Sequence, residues 1–302
     1  MVTILLGTDD GLHAVGDSRA GLLEGRRVAA LARGPDAVWA VVDGAELWSD
    51  VTGAGSLVAA SVGLRLNCLA LGEGWLLAGT AEAHLLRLQE GMLRRVEGFD
   101  RAEGRDGWYT PWGGPPDVRS LAVGADGVVY AGVHVGGILR GDDGGQVWTP
   151  TIEVDADVHE VLADPGTPGR LLAATARGLA ASDNAGRGWA FLTAGLHADY
   201  CRAVALAGDT VLLSCSAGPG GQRAAVYRRP LAAGPAEPFE RCRAGLPDWF
   251  DGNVDTACLD ADGAAAAIGT GTGQAYLSAD AGATWRQVAD GLAPVRCVLL
   301  VA

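Results

Sequence analysis

The sequence contains no lysine, and all 23 of its basic residues are arginine. This absence excludes chemistry that needs a lysine amine, such as Schiff-base formation, pyridoxal phosphate attachment and phosphate binding by a P-loop. Acidic residues number 36, which gives a formal net charge of −13. Because duplex binding depends on neutralising phosphates, this charge disfavours nucleic acid as a partner.

Three further features are missing. No apolar run reaches the 18 or so residues of a membrane span, so no membrane partner is expected. The first residues lack the basic start of a signal peptide, and this favours a cytoplasmic location. No CxxC spacing indicates a structural zinc site, and reduced thiols are expected. The cysteines are Cys68, Cys201, Cys215, Cys242, Cys258 and Cys297.

Glycine is abundant, with 46 residues in a chain of 302. Each glycine inside a helix costs roughly 1 kcal/mol relative to alanine, so long helices are disfavoured. A composition of this kind is typical of many short strands joined by tight turns.

Three segments repeat one pattern, at residues 141–148, 182–189 and 278–285. Each has Asp or Asn five residues before a tryptophan and glycine three residues before it. The residues concerned are Asp143, Asn184 and Asp280, with Trp148, Trp189 and Trp285. We expect a hairpin turn in which the Asp or Asn side chain caps backbone N–H groups and glycine takes a positive φ. The tryptophan then packs between neighbouring sheets, so a structural role is favoured for all six.

The repeat spacing predicts the architecture. Trp148 and Trp189 are 41 residues apart, and Trp189 and Trp285 are 96 apart, which leaves room for one degenerate repeat. Seven units of about 43 residues fill the chain, the usual size of a four-stranded blade. The sequence thus predicts an all-β, seven-bladed β-propeller in a single domain, 1–302. The N-terminal and C-terminal strands are expected to pair and close it, with a loop at 100–117 inserted over the channel mouth.

The repeated segment resembles the Asp-box, or BNR repeat, of sialidases and related β-propellers. Sialidases use an arginine triad for the substrate carboxylate, a Tyr/Glu nucleophile pair and an aspartic acid. Their F/Y-R-I-P signature is absent here, and they have six blades rather than seven. The pattern is also similar to the seven-bladed propellers of the photosystem II assembly factor type, which implies a binding scaffold.

A polar residue precedes the apolar core of each of the seven predicted innermost strands. These residues are Arg27, Asn67, Arg119, His159, Arg202, Asp255 and Arg296. Such strand starts surround one mouth of a propeller channel, so the four arginines predict a cationic site for carboxylate, phosphate or sulfate. The alternative is that the arginines only solvate the channel.

His134 interrupts a second repeated position, which is occupied by Thr8, Thr80, Thr175 and Thr270 in other units. His134 and His159 belong to adjacent predicted blades, so their imidazoles are expected to approach each other. Asp157 could orient an imidazole as part of an acid/base pair, or complete a divalent metal site with both histidines. The sequence does not identify any other cofactor.

Aromatic residues gather in loops on the same predicted face. They are Trp108, Tyr109, Trp112, Tyr200, Trp249 and Phe250. Exposed loop aromatics favour stacking on a sugar or ring, or a lid. The alternative is that they cover the sheet ends or meet a partner protein.

These patterns predict a propeller that binds, and in one version hydrolyses or otherwise transforms, an anionic small molecule or glycoside. The predicted binding residues are Arg27, Arg119, Arg202, Arg296, Asn67, Tyr200, Trp112 and Trp249. The predicted catalytic residues are His159, His134, Asp157 and Asp255. The alternative is a non-catalytic scaffold that uses the same face for protein interaction or assembly.

Overall fold

The computed structural model describes residues 2–16, 23–142 and 145–301. Within these ranges the chain forms seven antiparallel sheets, which are the blades of a β-propeller, as the repeat spacing predicted. Six sheets have four strands each, and consecutive strands along the chain are neighbours in the sheet. The predicted capping residue Asp143 lies outside the described residues.

The first three four-stranded blades occupy the N-terminal half. Their strands are β3 (Val28–Arg33), β4 (Val38–Val42), β5 (Glu46–Ser49), β6 (Ser56–Ala60), β7 (Leu66–Gly72), β8 (Trp75–Thr80), β9 (Leu85–Gln89), β10 (Met92–Arg95), β11 (Val118–Val123), β12 (Val129–Val133), β13 (Gly137–Asp142) and β14 (Val147–Pro150). A short helix α1 (Glu97–Asp100) and a 3-10 turn (Arg105–Gly107) precede β11. A second 3-10 turn (Val154–Ala156) follows β14.

The remaining four-stranded blades follow in chain order. Their strands are β15 (Val158–Ala163), β16 (Leu171–Thr175), β17 (Gly178–Ser182), β18 (Ala190–Leu192), β19 (Tyr200–Ala207), β20 (Thr210–Ser216), β21 (Ala225–Pro230), β22 (Glu240–Arg241), β23 (Leu259–Asp262), β24 (Ala265–Gly269), β25 (Ala275–Ser278) and β26 (Arg286–Ala289). Among the described residues, no helix is long and apolar enough to span a membrane.

The seventh sheet joins the two ends of the chain, in the order β2 (Gly11–Val15), β1 (Thr3–Thr8) and β27 (Val295–Val301). Strands β1 and β27 pair antiparallel, with Ile4 opposite Leu300 and Leu6 opposite Val298. Ile4, Leu6 and Leu300 are almost fully buried. The predicted closure by the terminal strands is confirmed.

One predicted innermost strand is wrong in its boundary. The apolar core 256–259 was expected to be strand, but β23 begins only at Leu259. The chain turns just before it, because Ala257 has φ +61° and the Cys258 N–H donates to the Asp255 carbonyl at 2.9 Å. Asp255 therefore lies in the turn before the strand rather than at its first residue.

The described chain divides into two compact units, which we call the N-unit (residues 29–173 and 181–190) and the C-unit (residues 1–28, 174–180 and 191–302). The N-unit core is built largely of aliphatic side chains around Phe99 and Trp148. The C-unit core groups Phe250, Tyr276 and Trp285 with small aliphatic residues. The prediction of a single domain with loop 100–117 over a channel mouth stays a prediction.

The repeated turn at residues 278–285 has the capping geometry expected from its sequence. Asp280 accepts hydrogen bonds from the Thr284 N–H at 2.8 Å and its hydroxyl at 2.6 Å. Gly282 has φ +80°, and the indole of Trp285 donates to the Gly282 carbonyl. These hydrogen bonds lower the pKa of Asp280 to about 2, with the Thr284 hydroxyl as the largest cause.

Candidate functional site

Three loops of the N-unit bring together four of the predicted site residues. The turn between β12 and β13 carries His134, and the segment before β15 carries Asp157. His159 lies on β15, and Trp112 lies in the loop before β11. We call these four side chains the His/Asp/Trp cluster. Their proximity bears out the expectation that His134 and His159 approach each other.

The two imidazoles converge on one carboxylate oxygen. Nε2 of His134 lies 3.1 Å from Asp157 Oδ1, and Nε2 of His159 lies 3.6 Å from the same atom. The side chains of both histidines are almost completely buried, whereas that of Asp157 is 21% exposed. The cluster therefore combines two buried imidazoles with one partly exposed carboxylate.

Trp112 covers His134 from the solvent side. The two rings stack with centroids 5.0 Å apart and planes inclined by 30°. Trp112 itself is 68% exposed. An indole that is held on one face and open on the other is a suitable platform for the apolar face of a sugar or a planar ring.

Burial by itself would raise the pKa of Asp157, but its surroundings outweigh that effect. The short contact with His134 and the charges of His159, His134 and Arg119 lower the pKa below its ordinary value. Asp157 is therefore an anion at neutral pH, with Arg119 as a nearby positive charge. The cluster has the charges needed to orient a polar ligand or hold a cation.

The loop carrying Trp112 is attached to the other two loops. The Tyr109 N–H donates to the Val135 carbonyl, and the His134 N–H donates to the Asp117 carbonyl at 2.9 Å. The Tyr109 hydroxyl donates to Asp155 at 3.2 Å, in the 3-10 turn just before Asp157. These bonds fix Trp112 relative to both the histidine turn and the aspartate turn.

The backbone is strained on both sides of the cluster. Val135 has φ +46°, a conformation that β-branched residues avoid, and Asp157 has φ +50°. Such strain costs of order 1–3 kcal/mol per residue and concentrates at functional sites. Val135 is adjacent to His134, so positive φ occurs next to one member of the cluster and at another.

The repeated threonines explain what His134 replaces. The Thr8 hydroxyl donates to the Gly11 carbonyl, and the Thr175 hydroxyl donates to the Gly178 carbonyl, both at 2.9 Å. Thr80 makes the equivalent bond to the His84 carbonyl. The threonine is thus a turn-closing residue, and His134 takes its place with an imidazole directed at Asp157.

Asn67, the other predicted binding residue of the N-unit, has a structural hydrogen bond. Its side-chain amide donates to the Val118 carbonyl at 3.3 Å and links β7 to β11. Arg119 follows Val118 and contributes to the field at Asp157.

The predicted arginines of the C-unit are paired with carboxylates. Arg296 makes two hydrogen bonds to Asp9, and Arg27 lies 3.2 Å from the same carboxylate. Arg202 donates to Asp255 at 2.9 Å and to the Tyr200 hydroxyl at 3.2 Å. Asp255 is therefore the ion-pair partner of Arg202. The use of these residues in a shared anion site stays a prediction.

Trp249 belongs to a different group of side chains in the C-unit. Its ring lies 4.9 Å from that of His197, and the Arg241 guanidinium lies 3.7 Å from its centroid. Nδ1 of His197 is 2.7 Å from the Tyr227 hydroxyl. Sequence reasoning placed Trp249 in a ligand site but missed His197 and Arg241 as its neighbours.

Two other features were missed. Asp9 breaks the repeat immediately after Thr8, where other units have Ala, Val or Gly, and that comparison could have identified it. A cavity of about 520 Å³ in the N-unit is lined by four arginines. They are Arg87, Arg94, Arg95 and Arg101. In the sequence, the adjacent arginines Arg94 and Arg95 could have indicated this cavity.

Comparisons with known proteins identify the fold alone. No family model matches the chain, and no curated protein matches it. A protein provisionally named 6-phosphogluconolactonase from Bacteroides uniformis superposes with a TM-score of 0.67, 17% identity and 99% coverage of both chains. YCF48 from Cyanidioschyzon merolae gives 0.59 at 14% identity, covering 87% of this chain and 86% of that one.

An ancestral GH74 enzyme superposes with a TM-score of 0.63 and 16% identity. The match covers 91% of this chain but only 37% of the enzyme. The seven-bladed propeller fold is thus shared with an enzyme as well as with YCF48, so function has to be argued from the site itself.

Proposed function

We propose that the chain binds a small anionic molecule or acidic sugar at the His/Asp/Trp cluster of the N-unit. The observation that carries this proposal is the exposed indole of Trp112, stacked on the buried imidazole of His134. The free face of the indole stacks on the ligand ring, and Arg119 supplies positive charge beside the cluster.

The strained backbone supports the same location. Val135 and Asp157 both adopt positive φ, and hydrogen bonds from the Tyr109 loop hold the turns that carry them. This arrangement fixes the site geometry before a ligand arrives, which reduces the entropy lost on binding.

A thermal-shift screen tests the proposal, followed by calorimetry on any stabilising compound. The screen compares hexuronic acids, neutral hexoses, small carboxylates and phosphate esters. A ligand present at about 100 times its dissociation constant stabilises the fold by roughly 2.7 kcal/mol. We expect acidic compounds to stabilise the protein and their neutral counterparts to do so less.

Two matched variants locate the site. Trp112→Ala is expected to weaken binding about 5- to 150-fold, because stacking on an aromatic ring contributes roughly 1–3 kcal/mol. Trp249→Ala removes another exposed indole and should leave the affinity unchanged. Arg94→Glu reports on the arginine-lined cavity. If Arg94→Glu abolishes binding and Trp112→Ala does not, the ligand occupies that cavity and the proposal is wrong.

The exposed aromatics also support a second candidate, a protein-binding scaffold. Trp112, Tyr109 and Trp249 are 68%, 48% and 37% exposed, and tryptophan and tyrosine are enriched at interface hot spots. This candidate predicts that no small molecule stabilises the protein. It also predicts that Trp112→Ala weakens an isolated, identified partner complex.

A further inference from the structure

The geometry points to a divalent metal site formed by His134, Asp157 and His159, with zinc as the metal whose coordination distances it fits. This inference deepens the proposed function, because it supplies that site with a cofactor. Only the metal's use in ligand binding rests on the proposed function. Metal binding itself stands on the three side chains.

The distances between donor atoms are those of ligands around one ion. Zinc binds imidazole nitrogen at about 2.0–2.1 Å and carboxylate oxygen at about 2.0–2.2 Å. Two such donors at a tetrahedral angle are about 3.3–3.4 Å apart. The observed separations of 3.1 and 3.6 Å from Asp157 Oδ1 lie on either side of that value.

The contact between His159 and Asp157 is not a hydrogen bond. The 3.6 Å between His159 Nε2 and Asp157 Oδ1 is too long for a hydrogen bond between those two atoms. Yet the donor atoms of all three residues lie within 4.8 Å of one another. Sharing an ion requires the two imidazole nitrogens to approach to about 3.4 Å.

The donor set and its burial fit the same chemistry. Two imidazoles and one carboxylate suit zinc and related divalent ions, and catalytic zinc sites use three protein ligands with a fourth position open. His134 is 2% exposed and His159 is fully buried, so both rings are enclosed by the protein. Asp157 is the most exposed of the three ligands.

A bound ion would add positive charge at the cluster, because three of the four predicted arginines are paired with carboxylates. Arg27 and Arg296 share Asp9, and Arg202 is paired with Asp255. A divalent ion with an open position beside Trp112 binds the carboxylate or phosphate of a ligand directly. It thus gives a mainly acidic chain a local anion site.

The test uses Co²⁺ alone, added to metal-stripped protein in the presence of a reductant and without an organic ligand. Visible absorption reports the ligand field of Co²⁺, and calorimetry gives its affinity and stoichiometry. We expect one Co²⁺ per chain with nitrogen and oxygen ligands, displaced by Zn²⁺. A thiolate-to-cobalt charge-transfer band would place the ion at a cysteine and overturn the proposal, as would no binding.

Variants identify the ligands. His159→Gln and His134→Gln should each weaken Co²⁺ binding by at least about 100-fold, since even residues that only support a ligand contribute 10- to 100-fold. His13→Gln removes an imidazole of the C-unit and should bind like the wild type. Unchanged binding in both cluster variants refutes the site. If a cluster variant fails to fold, the wild-type spectrum and the other variant decide.

The two proposals fail separately. If Co²⁺ binds and no compound of the screen does, the metal site stands and the proposed function falls. If an acidic compound binds the metal-stripped protein as well as the metal-loaded protein, the proposed function stands. In that case the metal has no role in it.

Discussion

Removal of the Asp255 carboxylate tests whether this residue serves the ion pair or the chemistry of a site. Two donors of Arg202 contact its Oδ1, at 2.6 and 2.9 Å. The Arg202 side chain is 19% exposed and that of Asp255 is 49% exposed. Asp255→Ala therefore leaves an enclosed guanidinium that still donates to the Tyr200 hydroxyl.

The expected cost follows from this asymmetric exposure. A buried group that loses its hydrogen-bond partner costs about 1–3 kcal/mol, and more when it is charged. Water reaches the half-exposed Asp255 position and can partly replace the carboxylate, so we expect about 1–2 kcal/mol. In a chain of this size that lowers Tm by a few degrees.

Asp248→Ala is the matched control. Its carboxylate lies 3.8 Å from Arg243, and both side chains are largely exposed. Such a pair contributes about 0–1 kcal/mol, so the control should unfold close to the wild type. Urea unfolding of Asp255→Ala, Arg202→Met and the double variant gives the coupling energy. A coupling near zero, or an Asp255→Ala curve that matches the control, would refute the reasoning.

Three further predictions concern other parts of the molecule. Folding lowers the pKa of Asp280 from 3.8 to about 2, so its ionised carboxylate stabilises the fold fully above about pH 4, and this stabilisation is lost as the pH falls through 2. Urea unfolding of the wild type and of Asp280→Asn measures the effect. The difference in their free energies of unfolding should disappear between about pH 4 and 2 and stay constant above pH 4. Gly137→Ala should destabilise by at least about 1 kcal/mol, because the residue has φ +81° and the added Cβ would lie 2.6 Å from the Ile152 carbonyl, and an unchanged Tm would contradict this. Burial raises the pKa of Cys297 to about 12, so only about one Cys297 thiol in 10,000 is ionised at pH 8. Labelling of Cys297 by a thiol reagent at that pH should therefore occur at the rate of unfolding. Rapid labelling of the native protein would contradict this.

The fold was predictable because the chain repeats itself. The spacing of Trp148, Trp189 and Trp285 gave the number of blades, and the apolar termini gave the closing sheet. The predicted start of β23 was wrong for a local reason, because the positive φ of Ala257 is not encoded by its residue type. A turn of this kind depends on neighbouring chain rather than on propensity.

The candidate site was predictable where one repeat differs from the others. His134 stood out against four threonines, and its approach to His159 followed from adjacent blades. The pairing of Arg202 with Asp255 and of Arg296 with Asp9 was not foreseen. These partners are 53 and 287 residues apart, and repeat alignment treats each position separately instead of asking which charges meet.

The antiparallel pairing of β1 with β27 has a consequence for how the chain folds. Thr3 lies opposite Val301, so nearly the whole sequence forms the loop between the two strands. Closing a flexible loop of that length costs roughly 5 kcal/mol of entropy, which preformed blades reduce by shortening the flexible path. The closing sheet is therefore expected to form last, after translation has delivered β27.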